Sequence, residues 1–334
     1  MKMLLLPHAK TMNKNAKTMK TSRLKFHLHF DKLAIHDEMM RDHVRLDHFR
    51  DAIKSVVKPG DTVAEVGVGT GILSMMAAKS GAKKVYAIER TQIIDVARQI
   101  AKQNGYGKTI EFIHQDTRET ELPEKVDVII SECLGDMAIQ ENLISDVLNF
   151  RSRWLKPSGT IMPLDATLYF GPVNSEKAYD GVSVWDRILE RYGYNYAQLR
   201  NVAANSNRPT TISLDDFLSP PKESLRIDMV RDTEVSFSDV FRFPILKCGT
   251  IHGIAGYFQT SLSRRVVIDT SPKTNTHWEQ SFFPMYEPRQ VKPGDEVIFR
   301  IDATLHRASV DWNWEIGVND GELEQHSTSG IISY

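Results

Sequence analysis

The chain has 334 residues, more than one small core needs and enough for two domains. Its 41% hydrophobic and 25% charged content excludes a mainly disordered chain or a coiled coil, and its two cysteines are too few for a disulfide framework. The net charge of −1 hides a split: residues 1–30 carry +7 and no acid, leaving −8 for residues 31–334.

Residues 1–25 read as a basic, solvated and disordered tail. Leu4–Leu6 followed by Pro7 falls short of the roughly 7–15 apolar residues of a secretory signal, and the tail is rich in lysine rather than the arginine of a mitochondrial presequence. No run approaches the ~20 apolar residues that cross a bilayer. Sparse cysteine points to a reducing compartment, so a cytoplasmic location without membrane or nucleic-acid partners is expected.

From Asp37 a helical pattern begins, with Leu46, Phe49, Ile53, Val56 and Val57 on one face, and it stops at Lys58-Pro59-Gly60. Thr62–Val66 predicts a strand, and Gly67-Val68-Gly69-Thr70-Gly71 opens a helix running to about Ser80. Val85–Glu89 predicts a second strand and residues 92–103 a helix. Ile110–His114 and Val126–Ser131 predict further strands, nearly continuous in apolar residues as in a parallel sheet buried on both faces. A helix near 140–154 and a turn at Lys156-Pro157-Ser158-Gly159 lead into Thr160–Met162. Alternating strands and helices through residue 163 predict a doubly wound α/β sheet, with ligands at the carboxyl ends of its strands.

After Pro163 the character changes. Thr167–Phe170, Glu234–Phe237, Ile254–Thr260, Arg265–Ile268, Glu296–Ile301 and Val310–Ile316 are strand-like and separated by turn signals. They predict an antiparallel β-sandwich or barrel. A helical patch at about 176–201, rich in Tyr and Trp, interrupts them.

Glu65-Val66-Gly67-Val68-Gly69-Thr70-Gly71 lies between a strand and a helix, where glycines let a ligand approach the backbone. The dinucleotide fingerprint would need glycine at position 72, which is Ile72. An acid two residues before a G-x-G-x-G run suits S-adenosyl-L-methionine, which has no pyrophosphate to seat. Glu89 ends the next strand, where a carboxylate can accept both ribose hydroxyls. Strand four ends at Ser131-Glu132-Cys133-Leu134-Gly135, and Glu141 follows nine residues after Glu132. A loop turning at Gly135 could face the two carboxylates towards each other, as a grip for a planar guanidinium. By spacing alone, two surface glutamates remain the commoner arrangement.

Over roughly residues 26–334 the sequence resembles the protein arginine N-methyltransferases. Ile35-His36-Asp37-Glu38-Met39-Met40 and Asp42-His43-Val44-Arg45 are similar to the family's N-terminal helix motif. Val63–Leu73 is similar to its cofactor loop, Ser131-Glu132 through Glu141 to its double-glutamate loop, and Thr276-His277-Trp278 to its Thr-His-Trp loop. The resemblance implies a Rossmann-like methyltransferase domain at 26–163, then a β-barrel substrate domain at 164–334 with a dimerisation arm at about 176–205. It also implies a head-to-tail homodimer.

His36 and Arg45 would cover the cofactor's amino-acid end, Arg45 on its carboxylate, with Met39 near the methyl. Gly67 and Gly69 would lie under the cofactor in the loop that Glu65 and Gly71 complete, and Glu89 would take the ribose. Adenine would sit near Asp116 and Thr117, where the family has a glutamate on its amino group. Arg118 stands at that position, and Glu119 could serve only after a one-residue shift. Glu132 and Glu141 would hold the substrate guanidinium, and His277 would pair with Asp42 across the domain junction. No metal is implied.

The departures lie in the walls of the acceptor channel. Phe26 and Phe30 lack the hydroxyls of the family's tyrosines, Cys133-Leu134-Gly135-Asp136 replaces Trp or Phe then Met-Gly-Tyr, and Ala138-Ile139-Gln140 lacks the usual aromatics. The expected activity is methyl transfer to arginine in a protein or peptide. Free arginine or another small guanidine is the nearest alternative, favoured by the added charge of Asp136. A catalytically silent cofactor-binding scaffold and a nicotinamide oxidoreductase are the readings from other classes.

Overall fold

A computed structural model describes residues 32–139, 143–306 and 309–329 of the chain. The expectations for the basic tail, Phe26, Phe30, Gln140 and Glu141 lie outside the described residues.

The apolar runs of the first half form one parallel sheet. Strands β1 (Thr62–Val66), β2 (Lys84–Glu89), β3 (Ile110–His114), β4 (Val126–Ser131) and β5 (Leu155–Met162) lie in the order β3-β2-β1-β4-β5. Helices α1 (Leu33–Arg41) and α2 (His43–Val56) precede it; α3 (Ile72–Lys79), α4 (Ile93–Gln103) and α5 (Ile144–Trp154) are threaded between its strands. The chain crosses from one side of β1 to the other between β3 and β4. The carboxyl ends of β1 and β4 therefore flank the switch point where such sheets bind ligands.

Three details differ from expectation. The N-terminal helix is broken at Asp42, whose backbone leaves helical geometry and whose side chain accepts a hydrogen bond from Arg45 N at 2.8 Å, capping α2. Strand β3 is an edge strand, and only Ile110 in it is fully buried, so the expected cover on both faces holds for β4, where all but Asp127 are buried, but not here. The turn expected at Lys156–Gly159 is part of β5. A register shift between Val126 and Val128 of β4 absorbs the extra residues.

From Asp165 the pairing becomes antiparallel. One sheet has the order β7 (Arg208–Thr210), β12 (Gln280–Val291), β10 (Gly249–Ser261), β6 (Asp165–Val173), β8 (Lys222–Asp228), with β11 (Val267–Asp269) also on β10. The other has the order β15 (Glu324–Ser327), β14 (Ser309–Val318), β13 (Glu296–His306), β9 (Phe237–Pro244). An aromatic core joins them: Phe170 of β6 packs on Phe237, Phe241, Phe283 and Phe299 with ring centroids 5.5 to 6.0 Å apart. Among the described residues no ladder joins the two sheets. Along one seam side chains do so instead, Ser224 Oγ on Asp239 Oδ2 at 2.8 Å and Lys222 Nζ on Arg242 O at 2.6 Å. Periodicity missed β7, β8, β12 and β15, and the strand expected at Glu234–Phe237 meets β9 only at Phe237. In β12 two prolines, Pro284 and Pro288, interrupt any strand pattern, and the ladder to β10 accommodates Pro284 beside a register shift.

The helical patch is a pair, α6 (Glu176–Tyr192) and α7 (Ala197–Ala204), broken by Gly193 in the left-handed conformation. Tyr179 Oη donates to Tyr286 O at 2.7 Å, and the Arg200 guanidinium stacks 4.6 Å above the Tyr286 ring, so the root of the pair is fixed to β12. Beyond that root Leu189, Tyr192, Tyr194 and Tyr196 are exposed. Among the described residues no helix is long and apolar enough to cross a membrane.

Candidate active site

A cavity opens at the switch point. Its floor is the turn after β1, where Gly67 has φ +76° and Gly69 φ +53°. A Cβ on Gly67 would stand 2.8 Å from Cys133 Sγ, and one on Gly69 would stand 3.3 Å from the His36 ring. The left-handed backbone favours glycine at both positions, and at Gly67 the approach to Cys133 Sγ adds a steric reason. Gly71 does not line the cavity; it caps α3 instead.

Glu89, at the carboxyl end of β2, is tied down by two backbone amides, Gly69 N at 3.1 Å and Thr91 N at 2.9 Å. Glu65 lies beneath the loop, 1% exposed, and receives a short hydrogen bond from Ser74 Oγ. Burial pushes its carboxyl up to about 8, against the opposing pull of Ser74 and Arg45. His36 and Met39 of α1 line the cavity, as do Asp116 and Thr117 of the segment after β3.

Glu132, which follows β4 directly, lines the same cavity. Its carboxylate is engaged by a guanidinium belonging to the chain itself: Arg45 Nε donates at 3.0 Å and Nη2 makes a shorter contact to the same oxygen. Both side chains are more than nine-tenths buried. Arg45 Nη1 reaches Met39 O at 3.3 Å. The residue expected on the cofactor carboxylate and the residue expected on the acceptor thus form one buried ion pair.

Asp42 and His277 meet behind Arg45, outside the cavity lining. Asp42 Oδ2 accepts from His277 N at 2.9 Å and lies 2.8 Å from His277 Nδ1. Burial alone would raise the Asp42 carboxyl; hydrogen bonds from the His277 side chain, Arg45 N and His277 N outweigh it and hold the group below its usual range. Next to it, Trp278 Nε1 donates to Leu134 O at 2.7 Å, joining the β-domain loop to the loop that carries Glu132. Asp136 stands on this side too. Burial outweighs the pull of His277 and, with smaller repulsion from Glu279 and Glu38, pushes its carboxyl up to about 6.

Glu119 is exposed and absent from the lining, to which its neighbours Asp116 and Thr117 belong. Four lining residues escaped sequence reasoning: Arg90, Thr91, Leu143 and Asp146. Thr91 follows Glu89 by two residues, close enough in sequence to have been considered. Leu143 caps α5 and Asp146 lies in its first turn, and nothing local marks them. The signal for Asp146 was the unexplained Arg118, a cation in want of an acid.

These residues fit a nucleoside ligand. The turn leaves room only while positions 67 and 69 carry no side chain, and Thr91 Oγ1, buried in the lining, has no hydrogen-bond partner among the described residues. No group of three or more metal-ligating side chains occurs among the described residues.

Comparison with known proteins agrees with this geometry. A family model for the arginine methyltransferase oligomerization subdomain matches residues 164–317, and one for the ribosomal protein L11 methyltransferase matches residues 50–162. Protein arginine N-methyltransferase 6 of Danio rerio is 34% identical over 276 residues, covering 76% of this chain and 78% of that protein. The structure of Arabidopsis thaliana protein arginine methyltransferase 10 superimposes with a TM-score of 0.77 at 27% identity, over 90% of this chain and 99% of that one. The Trypanosoma brucei PRMT1 enzyme-prozyme heterotetrameric complex with AdoHcy gives 0.80 at 25% identity, over 89% and 98%. With a parallel sheet holding the glycine turn, an antiparallel domain carrying the His277 loop, and these relatives along most of its length, the chain belongs to the protein arginine N-methyltransferase family.

Proposed function

We propose that the chain is an S-adenosyl-L-methionine-dependent N-methyltransferase acting on the guanidino group of arginine in a protein or peptide. The observation that carries this reading is that Glu132 opens into the same cavity as Gly67, Gly69 and Glu89. Cofactor cradle and acceptor acid are one space.

Glu89 would hold the ribose, the glycine turn and His36 the amino-acid end, and Arg45 the carboxylate. The cofactor supplies an electrophilic methyl on a sulfonium centre. Glu132 would grip the acceptor guanidinium from one side, and Glu141 serves as the second carboxylate in this reading. Two acids on one delocalised cation draw its charge towards two nitrogens and leave the third more nucleophilic and in line. That nitrogen gains a bond to carbon as the carbon–sulfur bond breaks, and one proton leaves it. His277, oriented by Asp42, would relay that proton. The pairing of Glu132 with Arg45 supports the assignment, because it demonstrates that this carboxylate accepts two guanidinium N–H groups.

In this reading the chain divides at residue 163, with the catalytic sheet before it and the substrate domain after it. Exposed Leu189, Tyr192, Tyr194 and Tyr196 on the α6–α7 pair would dock on a second copy, giving a head-to-tail homodimer. Asp136 favours a second acceptor class. With Glu38 and Glu279 it adds acidic charge beside His277, which suits the ammonium of free arginine.

Incubation with methyl-labelled cofactor and either an Arg-Gly-rich peptide or free arginine tests both. Label on the peptide is expected. Label on free arginine alone would replace the acceptor, and label on neither would leave a silent binding protein.

A further inference from the structure

We propose that Met137 and Gly256 form a knob and socket through which the antiparallel half sets the position of the acceptor acid. Both are positioning residues, outside the cavity lining, on the reading that Glu132 grips the acceptor guanidinium.

The loop after β4 meets the antiparallel half at two points. At the first, Leu134 O accepts from Trp278 Nε1 at 2.7 Å. At the second, fully buried Met137 ends against Gly256 of β10. A Cβ at position 256 would stand 2.7 Å from Met137 Cε, 3.0 Å from its Sδ and 2.9 Å from a Phe170 ring carbon. Gly256 is a mid-strand residue, opposite Phe170 of β6 and Ser281 of β12, and it is not among the residues with positive φ. Its missing side chain therefore serves space and not backbone shape. A glycine inside a strand weakens it and marks a close approach. What approaches is the thioether. Met137 thus joins the apolar cluster that holds Phe170, Phe283 and Phe299.

Insertion of Met137 dictates the path of the loop around it. Ala138 N donates to Gly135 O at 2.7 Å and Ile139 N to Met137 O at 2.6 Å, two overlapping tight turns. Ala138 takes φ +57°, a left-handed backbone that L side chains disfavour and that persists only where the surroundings impose it. Burial of Met137 on one side and Ile139 on the other imposes it here. Glu132 leaves β4 five residues before Met137, and Glu141 follows four residues after it in sequence. A displaced Met137 therefore moves the segment to which both acids belong. Glu89 and the glycine turn stay fixed at the ends of β2 and β1.

Exchange of side-chain size between the two positions tests this, with peptide methylation and S-adenosylhomocysteine affinity measured side by side. Met137→Ala removes the knob, and Gly256→Val fills the socket with a side chain suited to a strand. Each should lower kcat/KM for an arginine peptide by about tenfold or more. S-adenosylhomocysteine affinity should stay within about threefold of wild type. The double variant, in which valine fills the space that methionine leaves, should recover most of the lost kcat/KM. A merely structural pair would move cofactor and acceptor together. An unchanged kcat/KM in Met137→Ala, an equal loss of cofactor affinity, or a double variant no better than the worse single one overturns the proposal. If Gly256→Val does not fold, Met137→Ala decides on the first two of these results. Wild-type protein that binds S-adenosylhomocysteine yet methylates neither an arginine peptide nor free arginine would instead overturn the acceptor reading itself.

Discussion

At the scale of single residues, the site is built from acids whose surroundings set them apart. Glu132 is matched by Arg45, Asp42 by His277 and two backbone amides, and Asp146 by Arg118. Among the described residues no cation contacts Glu65. Burial is the largest influence on it and holds it near 8, whereas in the unfolded chain it ionises close to 4.5. Between about 4.5 and 8 the folded protein therefore keeps a proton that the unfolded chain has released, and stability falls as pH rises through that window. Glu65→Gln, which never ionises, should lose this slope. Melting curves from pH 5 to 8 should show the variant's midpoint gaining on the wild type as pH rises; a constant difference would show that Glu65 is not held protonated.

At the scale of elements, local signals were legible and distant ones were not. The strand–glycine turn–helix unit and the terminal acid Glu89 were evident because each lies within a few residues of its partners. The break at Asp42 escaped because the apolar face of α2 continues the pattern of α1 across it. Strand β12 escaped because Pro284 and Pro288 suppress the alternation that packing against β10 makes unnecessary. Asp146 escaped because its partner Arg118 is 28 residues away and on another element. The glycine turn also shows how one element constrains another: Gly67 is held against Cys133 of the loop after β4. Gly67→Ala should cost about 1–2 kcal/mol from the left-handed backbone alone, plus a clash with Cys133 Sγ. Adding Cys133→Ala should recover the steric part of the lost cofactor affinity and not the backbone part. Full recovery, or none, would contradict that division.

At the scale of the whole molecule, the site depends on both halves. The parallel sheet places Glu89 and Glu132 at the ends of neighbouring elements around β1, while the antiparallel half contributes His277 and Trp278, which fasten on Asp42 and Leu134. Arg151 of α5 strengthens the junction by donating to Met229 O at 2.5 Å and Asp232 O at 2.8 Å. Together these bonds tie α5 and the loop that carries Glu132, which the proposed mechanism sets on the acceptor, to the antiparallel half. The acidic balance of residues 31–334 suits a cationic acceptor. The central claim is that Glu132 acts on the acceptor and not on the cofactor, and one substitution separates the two. Glu132→Gln keeps the shape and an acceptor oxygen for Arg45 but removes the charge that grips a guanidinium. Measured side by side, S-adenosylhomocysteine affinity should stay within about threefold of wild type, while methyl transfer to an arginine peptide should fall by at least about a hundredfold. Methyl transfer at the wild-type rate in that variant would contradict the account.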